Sequence, residues 1–228
     1  MSKKIFITGT GTDVGKTFVT GLILKKLNEH NRKAAYYKAA MSGNERGLDG
    51  TLIPGDALFV KEMSGIHQPL EEMCPYVYET AVSPHLAAKL ERNPVEMDKI
   101  LTGFDKVCEH YDYVTVEGSG GILCPLRFDE QQIQLQDFVK ERNLASLLIA
   151  DAGLGTINAV VLTVEYMKQH KMPVKGMILN HYEPGNRLHE DNRQMCEAMT
   201  GLEVIACVKE GDCDLAISED VLEALFDE

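Results

Sequence analysis

Near its start the chain reads Gly9-Thr10-Gly11-Thr12-Asp13-Val14-Gly15-Lys16-Thr17, between a β-branched apolar run and an amphipathic stretch. Glycines in such a loop let successive backbone N–H groups face one anion, and the following helix adds the positive end of its dipole. There Lys16 reaches the β- and γ-phosphates of a nucleotide, and the Thr17 hydroxyl ligates Mg²⁺. The pattern is offset from the usual phosphate loop. Counted back from Gly15, the first glycine's place holds Thr10, and Gly9 stands one residue further out. A Gly-rich turn with a chance Gly-Lys-Thr is the plainer reading. The strand–loop–helix order favours phosphate binding.

Three further groups add to that chemistry. Glu117-Gly118-Ser119-Gly120-Gly121 follows an apolar run at 113–116. A carboxylate ending a buried strand can ligate Mg²⁺ while glycines let the backbone approach phosphates; the plainer alternative is a solvated Glu117 on a flexible turn. Asp56, in Pro54-Gly55-Asp56-Ala57, reads equally as a metal ligand or as the N-cap of the next helix. Lys38-Ala39-Ala40-Met41-Ser42-Gly43 offers a second lysine at a strand's end, where it would add positive charge beside a transferred phosphoryl group. Ser42 could hydrogen-bond a small polar substrate. The alternative is an exposed lysine on a mobile loop. Together these residues indicate a Mg-nucleotide site with an extra cation, and leave the acceptor unnamed.

The elements that must position them alternate along the chain. Short apolar runs predict strands at 4–8, 33–37, 113–116, 146–150, 176–179 and 204–208. Longer amphipathic stretches predict helices at 16–29, 56–63, 84–91, 95–110, 135–141, 156–170 and 188–199. In the stretch from Val95, the residues Met97, Ile100, Leu101, Phe104, Val107, Cys108 and Tyr111 share one helical face. Near-continuous apolar strands alternating with helices imply an α/β fold: a doubly wound, mostly parallel sheet with helices on both faces, of the phosphate-loop NTPase type. Ligands in such sheets lie beyond the strands' carboxyl ends. That rule selects the loops after Thr8, Tyr37, Val116, Ala150 and Leu179, which carry all the motifs.

No repeat or linker interrupts the 228 residues, so a single domain over 1–228 is expected. Lysine and arginine number 23 against 35 aspartates and glutamates, a net charge of −12. That balance argues against nucleic-acid or anionic-membrane partners. The longest apolar runs fall far short of the ~20 residues that cross a bilayer, and the residues before the phosphate loop are too few for a signal peptide. Six scattered cysteines read as reduced thiols, so a cytoplasmic location is expected. The acidic amphipathic stretch 218–226 is expected to pack on the sheet.

The motifs also occur in a familiar order. The phosphate loop, Tyr37-Lys38 with Ser42-Gly43, Ser83-Pro84-His85, Val116-Glu117-Gly118-Ser119-Gly120-Gly121 and Gly155-Thr156-Ile157-Asn158-Ala159 resemble the dethiobiotin synthetase family over about residues 1–182. The phosphate loop is generic; Lys-x-x-x-Ser-Gly and Ser-Pro-His are more particular. The resemblance implies a homodimer that joins 7,8-diaminononanoate, CO₂ and MgATP into dethiobiotin, ADP and phosphate, through a carbamate and its mixed anhydride. It implies Thr17, Asp56 and Glu117 around Mg²⁺, Lys38 and Lys16 as catalytic lysines, and Thr12 and Ser42 at the substrate. Nucleotide contacts would come from Asp13, Val14, Gly15, Lys16, Thr17, Phe18, Asp56, Glu117, Gly118, Ser119, Gly120, Asn180, Lys209 and Glu210, with Asn180 at the adenine. Gly155, Thr156, Ile157 and Asn158 would receive the substrate's distal carboxylate across the dimer interface, helped by His189 or Asn192. The chain departs from the family pattern at Ala39, where proline is expected, and in the loop 207–211. Two relatives of the same fold give the competing readings: the nucleotide-binding half of a corrinoid amidotransferase, and a partition-type ATPase. The latter carries a lysine early in the phosphate loop, where this chain has Thr10 and Gly11.

Overall fold

A computed structural model describes residues 2–227. Met1 and Glu228, the ends of the expected 1–228 domain, lie outside the described residues. The strands are β1 Lys3–Gly9, β2 Ala34–Lys38, β3 Tyr113–Glu117, β4 Pro125–Phe128, β5 Gln132–Gln134, β6 Ser146–Asp151, β7 Val174–Asn180 and β8 Val204–Cys207. The helices are α1 Lys16–Glu29, α2 Gly55–Ser64, α3 Leu70–Met73, α4 Pro84–Leu90, α5 Met97–His110, α6 Leu135–Glu141, α7 Thr156–Gln169, α8 Arg187–Thr200 and α9 Glu219–Phe226.

Six strands form one sheet in the order β2-β3-β1-β6-β7-β8, and every pairing in it is parallel. All six carboxyl ends therefore share one edge. Strand β1 lies between β3 and β6, so the chain runs outward from it in both directions. Its terminal loop falls where the strand order reverses, which is where such sheets open a crevice.

Alternation along β1 feeds two cores. Ile5 and Ile7 pack with Val19, Leu22, Ile23 and Leu27 of α1 on one face, and Phe6 packs with Val114, Val116, Phe104 and Phe138 on the other. The expected face of α5 is the buried one: Ile100, Phe104 and Val107 are buried, with Met97, Leu101, Cys108 and Tyr111 packed beside them. A third cluster joins Leu148 and Ala150 of β6, Met177 and Leu179 of β7, Val160 and Val164 of α7, and Cys196 of α8. The acidic helix α9 packs as expected. Phe226 meets Tyr113 edge-on with ring centroids 5.3 Å apart, and Arg32 takes up the charge of Glu219 and Glu223.

Two features escape the sequence reading. One is the single-turn helix α3; the other is an antiparallel ribbon of β4 and β5, whose register shifts between Pro125 and Arg127. The six cysteines are free thiols, and burial pushes those of Cys124 and Cys196 up to about 11. Among the described residues no helix is long and apolar enough to cross a membrane.

Phe104 touches both Tyr37 and Phe138, at 5.6 and 5.3 Å between ring centroids, and is fully enclosed between α5 and the sheet. Phe104→Ala is expected to lower unfolding free energy by about 3–5 kcal/mol in urea titrations. A loss below about 1 kcal/mol would show that α5 docks without this contact.

Candidate active site

The parallel register sets the site. Lys38, the last residue of β2, is paired with Glu117, the last residue of β3, so two opposite charges end adjacent strands. Lys38 Nζ donates to Glu117 Oε1 at 2.6 Å and to Asp56 Oδ2 at 2.6 Å. Glu117 has no exposed surface and Lys38 is 6% exposed. A buried carboxylate needs its lone pairs filled. Here Oε1 also accepts from Thr17 Oγ1 at 2.9 Å, and Oε2 accepts from Tyr36 OH at 3.2 Å. Burial alone would push the Lys38 ammonium down, but the charges of Glu117 and Asp56 overcome it and raise its pKa well above the usual lysine range. Tyr36, buried beside Glu117, is likewise held firmly protonated.

The phosphate loop wraps over this cluster. Asp13 and Gly15 take left-handed backbone angles, φ 61° and 88°, and Gly15 is the N-cap of α1. Lys16 Nζ folds back to donate to the Gly11 carbonyl at 2.8 Å. Its pKa is pushed down, first by burial and then by the neighbouring Lys38 charge. Close packing explains two of the glycines. A Cβ on Gly9 would meet Val14 Cγ2 at 2.8 Å, and one on Gly118 would meet Phe6 Cζ at 2.9 Å. Gly118 therefore serves packing of β3 against β1.

Thr12, Asp13, Gly15, Lys16, Thr17, Phe18, Lys38, Ser42, Asp56, Glu117, Ser119 and Gly120 line one cleft of about 980 Å³. Within it the Ser42 hydroxyl donates to Val82 O at 2.5 Å and the Ser119 hydroxyl to Ala40 O at 2.9 Å. Asp56 is no N-cap: Pro54 holds that position, and the Asp56 carboxylate turns to Lys38 instead. Thr17, Asp56 and Glu117 offer a hydroxyl and two carboxylates, the hard oxygen set that suits Mg²⁺.

The other expected residues lie outside the cleft. Asn180, at the end of β7, sits behind the phosphate loop and donates to Val14 O at 3.2 Å. Gly155 is the N-cap of α7, with Thr156, Ile157 and Asn158 in its first turn; the Thr156 hydroxyl is buried and has no hydrogen-bond partner. Asn192 is a buried tie, donating to Ala152 O and Gly153 O, while His189 accepts from the Glu183 amide. Lys209 and Glu210 lie on the exposed turn after β8, where Asp212 accepts from the Lys209 amide.

Sequence reading passed over Tyr36 and most of the cleft's apolar wall, namely Phe59, Val82, Leu123 and Pro125, and gave Pro84 no role beyond its motif. Tyr36 carries a signal in its spacing, since residues two apart on a strand share a face and Lys38 is itself a candidate for the site. The wall residues come from α2 and from the segments entering α4 and β4, and carry none.

A phosphate loop over the switch point of a parallel sheet places this molecule among the phosphate-loop NTPases. The AAA domain family model matches residues 3–212. The MinC:MinD cell division complex of Aquifex aeolicus shares the fold at a TM-score of 0.57 and 15% identity, over 98% of this chain and 86% of that one. The septum site-determining protein MinD of Pyrococcus horikoshii, complexed with Mg-ADP, does so at 0.53 and 15%, over 92% and 82%. At such identities the likeness is one of fold alone. Sequence similarity goes further. The chain is 47% identical, over all of both chains, to the ATP-dependent dethiobiotin synthetase BioD of Brachyspira hyodysenteriae. It is 44% identical to that of Clostridium botulinum strain Eklund 17B, over 96% of each. The chain belongs to the dethiobiotin synthetase family, and it is an enzyme.

Removing Lys38 strands a buried carboxylate, so Lys38→Met is expected to cost about 3–5 kcal/mol of stability. Adding Glu117→Gln should recover most of that loss in denaturant titrations. If single and double variants were equally unstable, the Lys38–Glu117 pair would not be the origin.

Proposed function

We propose that the enzyme closes the ureido ring of dethiobiotin from 7,8-diaminononanoate, CO₂ and ATP, releasing ADP and phosphate. The observation that carries this reading is the second lysine. Lys38 ends the strand beside Glu117 and faces the same cleft as the phosphate loop. A phosphate loop alone suits any nucleotide hydrolase. A further buried cation suits a reaction in which a second anion must approach the γ-phosphate.

In the proposed sequence, one amine of the diamine takes up CO₂ as a carbamate and releases a proton. A carbamate oxygen attacks the γ-phosphorus, and the bond to the departing ADP breaks. The second amine attacks the carbonyl carbon of the carbamic-phosphoric anhydride; the ring closes, and phosphate leaves with the proton that this amine sheds. Both partners in the phosphoryl step are anionic, and Lys16 and Lys38 offset their repulsion. Thr17, Asp56 and Glu117 would hold Mg²⁺, which when bound supplies positive charge to the phosphate oxygens. Thr12 and Ser42 orient the amine end, and the apolar wall from Phe59 to Pro125 suits the aliphatic chain.

Asp13, Val14, Gly15, Phe18, Gly118, Ser119 and Gly120 cradle the phosphates, with Asn180, Lys209 and Glu210 toward the base. The distal carboxylate goes to the start of α7 in a second copy of the chain. The buried, unpartnered Thr156 hydroxyl and the helix dipole support an anion there. The enzyme thus works as a homodimer of single-domain chains, in the cytoplasm.

The test is ADP release with the diamine, bicarbonate or divalent cation omitted in turn. Turnover that requires all three is expected; hydrolysis indifferent to the diamine would sink the ligase reading in favour of a switch ATPase. Lys38→Ala, assayed below its lowered melting point, is expected to keep ADP binding and lose about 10²–10³ of kcat. Near-normal ring closure would remove Lys38 from the chemistry.

A further inference from the structure

We propose that Asp151 and His181 form a tautomer lock. It holds the Asn180 amide with its carbonyl oxygen presented to an exocyclic amine of the bound base, making the pair positioning residues for base selection. This rests on the nucleotide reading of the phosphate loop above. Nothing in that reading uses either residue.

The geometry runs through four groups at the carboxyl edge. Asp151 and Asn180 are register partners at the ends of β6 and β7. Asp151 Oδ1 accepts from the Gly153 amide at 2.6 Å, which fixes the carboxylate and aims Oδ2 at His181 Nδ1, also 2.6 Å away. A carboxylate oxygen can only accept, so Nδ1 carries the ring proton. In the neutral imidazole Nε2 then has a lone pair, and it faces Asn180 Nδ2 at 3.2 Å. The other hydrogen of Nδ2 goes to Val14 O. Both amide hydrogens are thereby assigned, and a flipped amide would set its oxygen against the Val14 carbonyl.

What remains is Asn180 Oδ1, an acceptor with no partner in a side chain that is 1% exposed. Buried acceptors without partners are rare in folded proteins. This one belongs to an amide packed against Gly15, where even a Cβ would run into Nδ2. Its missing partner is an N–H donor. The 6-amino group of adenine supplies one; the 6-keto oxygen of hypoxanthine or guanine cannot. The backbone supports the same purpose. His181 stands at φ 55°, a left-handed conformation that most side chains adopt only at an energetic cost. That turn brings the ring back between Asp151 and Asn180.

Asp151→Asn tests the lock with little change of shape. The Asn oxygen keeps the Gly153 amide, which places its NH₂ against His181 Nδ1. The ring proton must then move to Nε2, where it opposes the Asn180 donor. His181→Asn, suited to the left-handed backbone, removes the ring as a second route to the same loss. ADP and inosine diphosphate would be titrated calorimetrically into the intact protein and both variants. NMR of the imidazole nitrogens would report the tautomer.

The wild type is expected to carry its proton on Nδ1 and to prefer ADP. Each variant should narrow that preference by about fivefold to tenfold through weaker ADP binding, with inosine diphosphate affinity and melting temperature nearly unchanged. An unaltered preference in both variants, or an Nε2–H tautomer in the wild type, overturns the lock. Equal binding of the two diphosphates by the wild type overturns it as well, while leaving the phosphate site standing. Failure to bind either one would instead overturn the nucleotide reading itself.

Discussion

Lys38 held between Glu117 and Asp56 is the contact on which the site's architecture depends. Burying a carboxylate as completely as Glu117 is unfavourable by several kcal/mol unless a cation and hydrogen bonds replace water. The fold meets that demand with four groups from three elements: Lys38 and Tyr36 from β2, Thr17 from α1, and Asp56 from α2 acting through Lys38. An apolar pair of the same volume would stabilise the sheet edge at least as well. Retaining a charged cluster there points to chemistry rather than to stability.

The two lysines are set in opposite ways by one arrangement. Carboxylates raise Lys38, whereas burial and the charge of Lys38 push Lys16 down. Lys16 borrows the Gly11 carbonyl as its partner, a neutral group that cannot offset a second cation nearby. An incoming polyanion would give Lys16 the charge it lacks, so the loop as it stands is unfavourable to its own lysine. Both lysines are buried, so their charges act locally in a chain whose net charge is −12.

Much of this was legible in sequence because strands and motifs coincide. The apolar runs that define β1, β2 and β3 end directly in Gly9, Lys38 and Glu117, so locating the strands located the site. What was not legible has a common physical cause. The β4–β5 ribbon lacks alternation strong enough to stand out and starts at a proline, which sequence rules assign to edges or loops. Asp56 has a cap's composition, but capping depends on backbone angles that only the tertiary contact with Lys38 decides. Asn192 reads in sequence as a helper of the substrate carboxylate, and Asp151 carries no motif at all. Each becomes structural through a loop that joins β6 to α7 and is brought beside α8 or β7 by the sheet.

Shared architecture explains the likeness to MinD proteins without carrying function across. Phosphate loop, parallel sheet and switch point recur across this fold class. In this chain further charged groups stand beside the phosphate loop. Thr10 and Gly11 leave the early part of this loop without a lysine, and the second cation comes from β2, across the cleft and tied to the metal-type carboxylates. Beyond it the wall turns apolar at Phe59, Val82 and Leu123. Charged and apolar side chains thus line one cleft. A switch needs only the nucleotide, whereas the proposed ring closure needs room for a second reactant. An apolar lining beside a buried lysine is what an acceptor with a polar head and an aliphatic chain requires.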